Sequence, residues 1–159
     1  MGVVVKLDSI LEAMDLPGEW ESFLDPETGE IVSIGEEERF ALDREDRDGL
    51  SAWLQEAVER IERLLDSGRA LRLPDSYDIH EWELMRRFSS SIDDPVHRDE
   101  LLAVLHGRGA FRLFRMTVAR LGLRDAWFEH RARALRRIAV GWLDDHGIQY
   151  VEAGGGDIP

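Results

Sequence analysis

An α+β fold dominated by helices is predicted for this chain, with a small antiparallel sheet packed on four to five helices. Three observations carry the prediction. The turn Asp25-Pro26-Glu27-Thr28-Gly29 separates two short β-patterned runs. Several later segments repeat apolar residues at the three-to-four spacing of a helix face. Short strand-like runs also lie near both ends, at residues 3–7 and 148–152.

Taken in order, residues 3–7 are rich in β-branched valine and read as a strand. Asp8 is placed to cap a short helix over residues 9–16, which Pro17-Gly18 ends. Residues 21–24 and 30–34 make a hairpin. Its proline presets the first central position of the turn, and Gly29 takes positive φ at low cost. The acidic stretch 35–48 reads as an irregular connector, with residues 39–42 as one more candidate strand. Residues 50–66 form the strongest helix, with Leu50, Trp53, Leu54, Ala57, Val58, Ile61, Leu64 and Leu65 on one face. Glu56–Arg60 and Glu59–Arg63 are spaced as pairs on its wet side. Residues 71–74 suit a short edge segment.

The next helix shows a full set of start signals. Asp78 stands as N-cap, Glu81 closes a capping box, and Tyr77 and Trp82 match a hydrophobic staple. Its expected buried face is Ile79, Trp82, Met85, Phe88 and Ile92. Asp94-Pro95 starts a third helix, with proline at its first position, ending at Gly107. Gly109 opens a fourth, running to Leu121. Residues 124–146 form the longest helix, and residues 148–152 the last strand. No internal repeat or linker divides the chain. The expectation is one domain over residues 1–152, followed by a glycine-rich flexible tail over 153–159.

Composition removes whole classes of chemistry. The 159 residues include no cysteine, which excludes disulfides, thiol nucleophiles and thiolate metal sites and suits a cytoplasmic setting. No apolar run is long enough to span a bilayer, so no membrane association is expected. The sequence start has neither a secretory leader's pattern nor a myristoylation motif. The net charge of −13 disfavours general nucleic-acid binding. That charge is uneven: residues 1–66 carry 19 acids and 6 bases, whereas residues 105–140 carry nine arginines against Asp125 and Glu129. An acidic end and a basic stripe are therefore expected, paired within one fold or between copies.

Most catalytic signatures fail. His80, His97, His106, His130 and His146 lack any paired-ligand spacing, so no metal and no cofactor is expected. The run Arg44-Glu45-Asp46-Arg47-Asp48-Gly49 puts a cation at the first position of a calcium loop and Gln55 at the twelfth, and is rejected. No phosphate loop, dinucleotide fingerprint or nucleophile elbow is present. His80 beside Glu81 and Glu83 could form an acid–base pair, but Asp78 and Glu81 are already explained by capping. The stronger candidate is an anion- or partner-binding stripe formed by Gly107, Arg108, Gly109, Arg112 and Arg115. A helix start offers free N–H groups to an anion, and the arginines follow at i, i+4 and i+7. Phe111, Phe114, Val118 and Leu121 are expected to face the core. The stripe also has a purely structural explanation, pairing with Asp99, Glu100 or the acidic N-terminal half. The acidic excess tilts the expectation toward such pairing.

Three stretches carry a family resemblance. They are residues 24–32 (LDPETGEIV); Leu73-Pro74 with residues 77–82 (YDIHEW); and residues 107–114 (GRGAFRLF) with Trp127-Phe128, Ala139, Trp142-Leu143 and Gly147-Ile148. Over most of residues 5–151 the chain resembles the bacterial uncharacterised protein family UPF0158. The resemblance implies a bacterial cytosolic protein without an assigned activity, and it carries over no catalytic residues. The functional expectation is a non-enzymatic interaction or regulatory module that binds a protein partner or a second copy. A phosphate, nucleotide or RNA ligand on the arginine stripe is the alternative, and a hydrolase-like enzyme is a distant third.

Overall fold

A computed structural model describes residues 3–16 and 19–152, with Ser76 and Tyr77 described in their backbone alone. The expected helix stop at Pro17-Gly18, the flexible tail and the Tyr77 side of the hydrophobic staple lie outside the described residues. The fold is α+β and mostly helical, as expected. The chain forms two compact units, one from residues 1–75 with 139–159 and the other from residues 76–138.

Among the described residues, the strands all lie in the first unit. β1 (Val4–Lys6) pairs in parallel with β5 (Gln149–Val151), with Val5 opposite Tyr150. β2 (Glu21–Leu24) is the central strand of a separate antiparallel sheet, between β3 (Ile31–Ile34) and β4 (Leu71–Arg72). The first and last strands therefore pair with each other instead of extending the hairpin sheet. The edge position at 71–72 is occupied as expected. Gly29 sits at φ +80° in the hairpin turn, a conformation that strains any residue bearing a Cβ.

Between β1 and the hairpin lies α1 (Leu7–Met14), which buries Leu7, Ile10 and Met14. It starts two residues before the predicted helix, so Asp8 is in its first turn and Lys6 is the N-cap. Asp8 there complements the positive end of the helix dipole.

The first half of the predicted connector is α2 (Glu36–Leu42), so residues 39–42 are helix and not a strand, while residues 43–48 are irregular as expected. Glu36, Glu37 and Glu38 fill its first turn, where the helix dipole favours negative charge. The Glu38 carboxylate accepts the Gly35 backbone N–H at 3.0 Å. The acidity that resembled a solvated loop is thus a helix-start signal. α3 (Ala52–Asp66) buries Leu54, Val58, Ile61 and Leu64. Ile61 and Leu64 pack with Val32 and Ile34 of the hairpin, and Leu54 and Val58 with Ala41 of α2. Trp53 and Leu65, expected in that core, are exposed. Arg60, expected to pair with Glu56, instead bonds Glu30 of the hairpin at 2.8 Å.

The second unit is helical. α4 (Ser76–Ile79) is one short turn, followed by α5 (Glu81–Ser90). Between them His80 adopts φ 55°, ψ 64° and serves as N-cap of α5. Asp78 therefore does not cap this helix, and the predicted capping box is not formed. The left-handed break shifts the start by two residues. Of the predicted face, Ile79, Met85 and Phe88 are buried, while Trp82 is partly exposed and donates its indole N–H to the Leu105 carbonyl at 3.0 Å. Leu84 joins the buried set.

α6 (Pro95–Val104) starts as predicted, with Asp94 accepting the backbone N–H groups of Val96 and His97. α7 spans Ala110–Arg120, and α8 spans Arg124–Asp145, its residues from Ala139 onward being counted in the first unit. Phe88, Phe114 and Trp127 form an edge-to-face cluster, with Phe114 and Trp127 centroids 4.9 Å apart. Such geometry adds about 0.5–1.5 kcal/mol per pair beyond area burial.

Candidate docking surface on α7

The turn between α6 and α7 is built on two left-handed glycines, Gly107 at φ +94° and Gly109 at φ +73°. Gly109 is the N-cap of α7, and no side chain caps that end. Arg108 stands between the glycines and is exposed.

From there α7 divides into two faces. Ala110, Phe114, Thr117 and Val118 are buried at spacings of four, three and one, which is one helix face. Thr117 satisfies its hydroxyl locally by donating to the Leu113 carbonyl at 2.7 Å. The exposed remainder of the helix carries Arg112, Arg115 and Met116, with Phe111 at its border with the buried face. Phe111 is 50% exposed and Met116 57%. Phe111 was expected in the core. Its position on the wheel lies at the edge of the buried face, and the ring turns outward; Leu121 is half-buried.

Arg108, Arg112 and Arg115 are exposed, and none is ion-paired among the described residues. The expected pairing with Glu100 goes elsewhere, to Arg120. Other arginines of the basic stretch also have partners. Arg131 bonds Glu81 at 2.6 Å, and Arg133 lies 3.7 Å from Glu129. Arg124 stacks over Phe128 with its guanidinium carbon 5.5 Å from the ring centroid. Arg108, Arg112 and Arg115 are thus cations beside exposed apolar side chains. Arginine, phenylalanine and methionine are enriched in the cores of protein interfaces.

The alternative acid–base group is arranged differently. His80 is exposed at the helix break. Glu81 is held by Arg131. Arg86 bonds Glu83 through Nε at 3.0 Å, with Arg87 adding a second contact, and this holds the Glu83 carboxyl down to about 2. A carboxylate so stabilised as an anion is a poor proton acceptor near neutral pH. Among the described residues, no three histidine, aspartate or glutamate side chains gather as a metal site.

Sequence reasoning missed a concavity in the first unit. Glu19, Trp20, Glu36, Glu37, Glu38, Arg39 and Trp53 line a cavity of roughly 850 Å³. Reading 35–48 as a loop concealed it, because Glu36, Glu37, Glu38 and Arg39 of α2 supply much of its wall, with Trp53 of α3 and the segment before β2.

The molecule is therefore an α+β protein, mostly helical, with an exposed arginine-bearing helix face. It is similar to UPF0158 protein PA5073 of Pseudomonas aeruginosa, at 26% identity over 148 residues, covering 92% of this chain and 86% of that protein. This agrees with the resemblance seen in the sequence motifs. No family model and no solved structure matches the chain. Among the described residues no helix is long and apolar enough to cross a membrane.

Proposed function

We propose that this chain is a non-enzymatic interaction module of the cytoplasm, which docks an acidic protein surface on the outer face of α7. The observation that carries the reading is the exposure of Arg108, Arg112 and Arg115, unpaired among the described residues, alongside Phe111 and Met116. Guanidinium groups bind carboxylates bidentately, and neighbouring apolar side chains supply area that excludes water around them. The net charge of −13 favours a protein partner over a nucleic acid, whose backbone would be repelled by the rest of the molecule. One feature favours the second reading, a phosphate-bearing ligand: the uncapped start of α7 beside Arg108 offers backbone N–H groups to an anion.

Amide chemical-shift titration separates the two. A peptide alternating glutamate and leucine, inorganic phosphate and a short single-stranded RNA serve as probes. The peptide is expected to shift residues 108–116, and Arg108→Gln/Arg112→Gln/Arg115→Gln to abolish the effect. Phosphate or RNA acting there while the peptide does not would replace the protein-docking reading with the second one.

A further inference from the structure

The cavity of the first unit has a composition that selects its ligand. Trp20 is half-buried and Trp53 is 56% exposed, so two indoles face a concave space. Glu19, Glu36 and Glu37 line the same space, are exposed, and have no ion pair among the described residues. The other charged lining groups are engaged. Glu38 accepts the Gly35 N–H at 3.0 Å, and Arg39 bonds Glu21 at 2.8 Å. Hence Arg39 is committed elsewhere, and three carboxylates without an ion pair among the described residues stand beside two aromatic walls. Indole faces attract guanidinium groups by cation–π contact, and carboxylates hold them by paired hydrogen bonds. The pocket suits an arginine side chain.

Trp20 is held against the backbone of Gly35. A Cβ added there would lie 2.6 Å from a Trp20 ring carbon, so the indole occupies the space a side chain would take. This wall is built into the fold by the absence of a side chain at position 35.

The chain also carries the complement. Residues 76–138 hold twelve arginines against nine acids, while the rest of the chain holds 24 acids against 8 bases. We infer that the tryptophan-walled acidic pocket of one copy receives an α7 arginine, Arg112 or Arg115, of a second copy. The inference rests on the reading of α7 as a docking face and names its partner as the chain itself. Charge complementarity gives such a contact its direction and its salt sensitivity.

Sedimentation velocity of the full chain over a concentration series, at low and high salt, tests this. The expected result is a mass above the monomer that falls toward it in high salt. Arg112→Glu/Arg115→Glu and Glu36→Arg/Glu37→Arg should each be monomeric alone and should associate when mixed. Reversing charge in the first turn of α2 also weakens that helix, so Trp53→Ala is a second variant. It removes an exposed side chain, should leave the fold intact, and should weaken association about tenfold. An unmodified chain that stays monomeric at low salt overturns the inference, as does undiminished association of the Trp53→Ala protein. If the chain is monomeric while the glutamate–leucine peptide still shifts α7, the self-docking inference alone falls. If the peptide also has no effect, the docking reading of α7 falls with it.

Discussion

Asp25 shows how much one side chain can organise. Its carboxylate is nearly inaccessible and accepts Arg69 Nε at 2.8 Å and Nη2 at 3.0 Å, together with the Glu27 backbone N–H at 2.9 Å. It thereby fixes the hairpin turn and ties it to the chain leaving α3. The Arg69 hydrogen bond, opposed by burial and helped by the Glu27 N–H, holds the carboxyl down to about 2 from an ordinary 3.8. The unfolded chain takes up this proton near pH 4, while the folded chain resists it until near 2. The stability contributed by Asp25 is therefore complete above the unfolded value and is lost as pH falls between the two. Asp25→Asn should cost about 1–3 kcal/mol at neutral pH, since Arg69 and the turn N–H lose a charged acceptor. Urea midpoints measured from neutral pH to pH 2 should show the two proteins converging in that acid window. A gap that persists unchanged at pH 2 would mean the ionised pair is not its source.

At the scale of elements, helix starts separate what is local from what is not. Asp94 accepts Val96 N–H at 2.9 Å and His97 N–H at 3.3 Å, with Pro95 at the first helical position. Asp94→Ala should cost about 0.5–2 kcal/mol by exposing those donors, read as a lowered thermal midpoint. Asp78→Ala should show no comparable loss from α5, because the cap position there belongs to His80. Both aspartates looked like caps in the sequence. What distinguishes them is the left-handed His80, a conformation uncommon for any residue but glycine, and no neighbouring residue signals it. The hairpin was legible for the opposite reason: Pro26 and Gly29 set its turn locally. The same holds for α6, α7 and α8, each opened by an Asp-Pro or closed near a glycine. α2 was misread because its three glutamates are both a polar run and a dipole match, and only the packing of Ala41 against Leu54 and Val58 decides between them. The pairing of β1 with β5 depends on residues more than 140 positions apart in sequence, which no local pattern encodes. For the candidate site, the helix start and the arginine spacing were legible, but exposure was not. Whether an arginine finds a carboxylate is decided by tertiary neighbours, and Glu100 turned to Arg120 instead.

For the whole molecule, the placement of the α7 arginines reverses the stability expectation drawn from charge alone. Had Arg108, Arg112 and Arg115 been buried against acids, replacing them would have stranded carboxylates at about 3–5 kcal/mol for each broken pair. Against a total margin of about 5–15 kcal/mol, that would unfold the protein. They are instead exposed and unpaired among the described residues. Glutamine retains good helix propensity at 112 and 115, and a substitution at such a surface site changes stability by less than about 0.5 kcal/mol. The Arg108→Gln/Arg112→Gln/Arg115→Gln protein should therefore melt within a few degrees of the unmodified chain when both are dilute. A second difference follows from mass action. If α7 docks a second copy, association stabilises the folded state, and the unmodified protein's midpoint should climb with protein concentration. The triple variant's midpoint should stay level. Thermal melts over a concentration series thus separate the two roles in one experiment. A variant midpoint lowered strongly at dilution would make the arginines structural, and parallel, level midpoints for both proteins would remove self-docking from the function of α7.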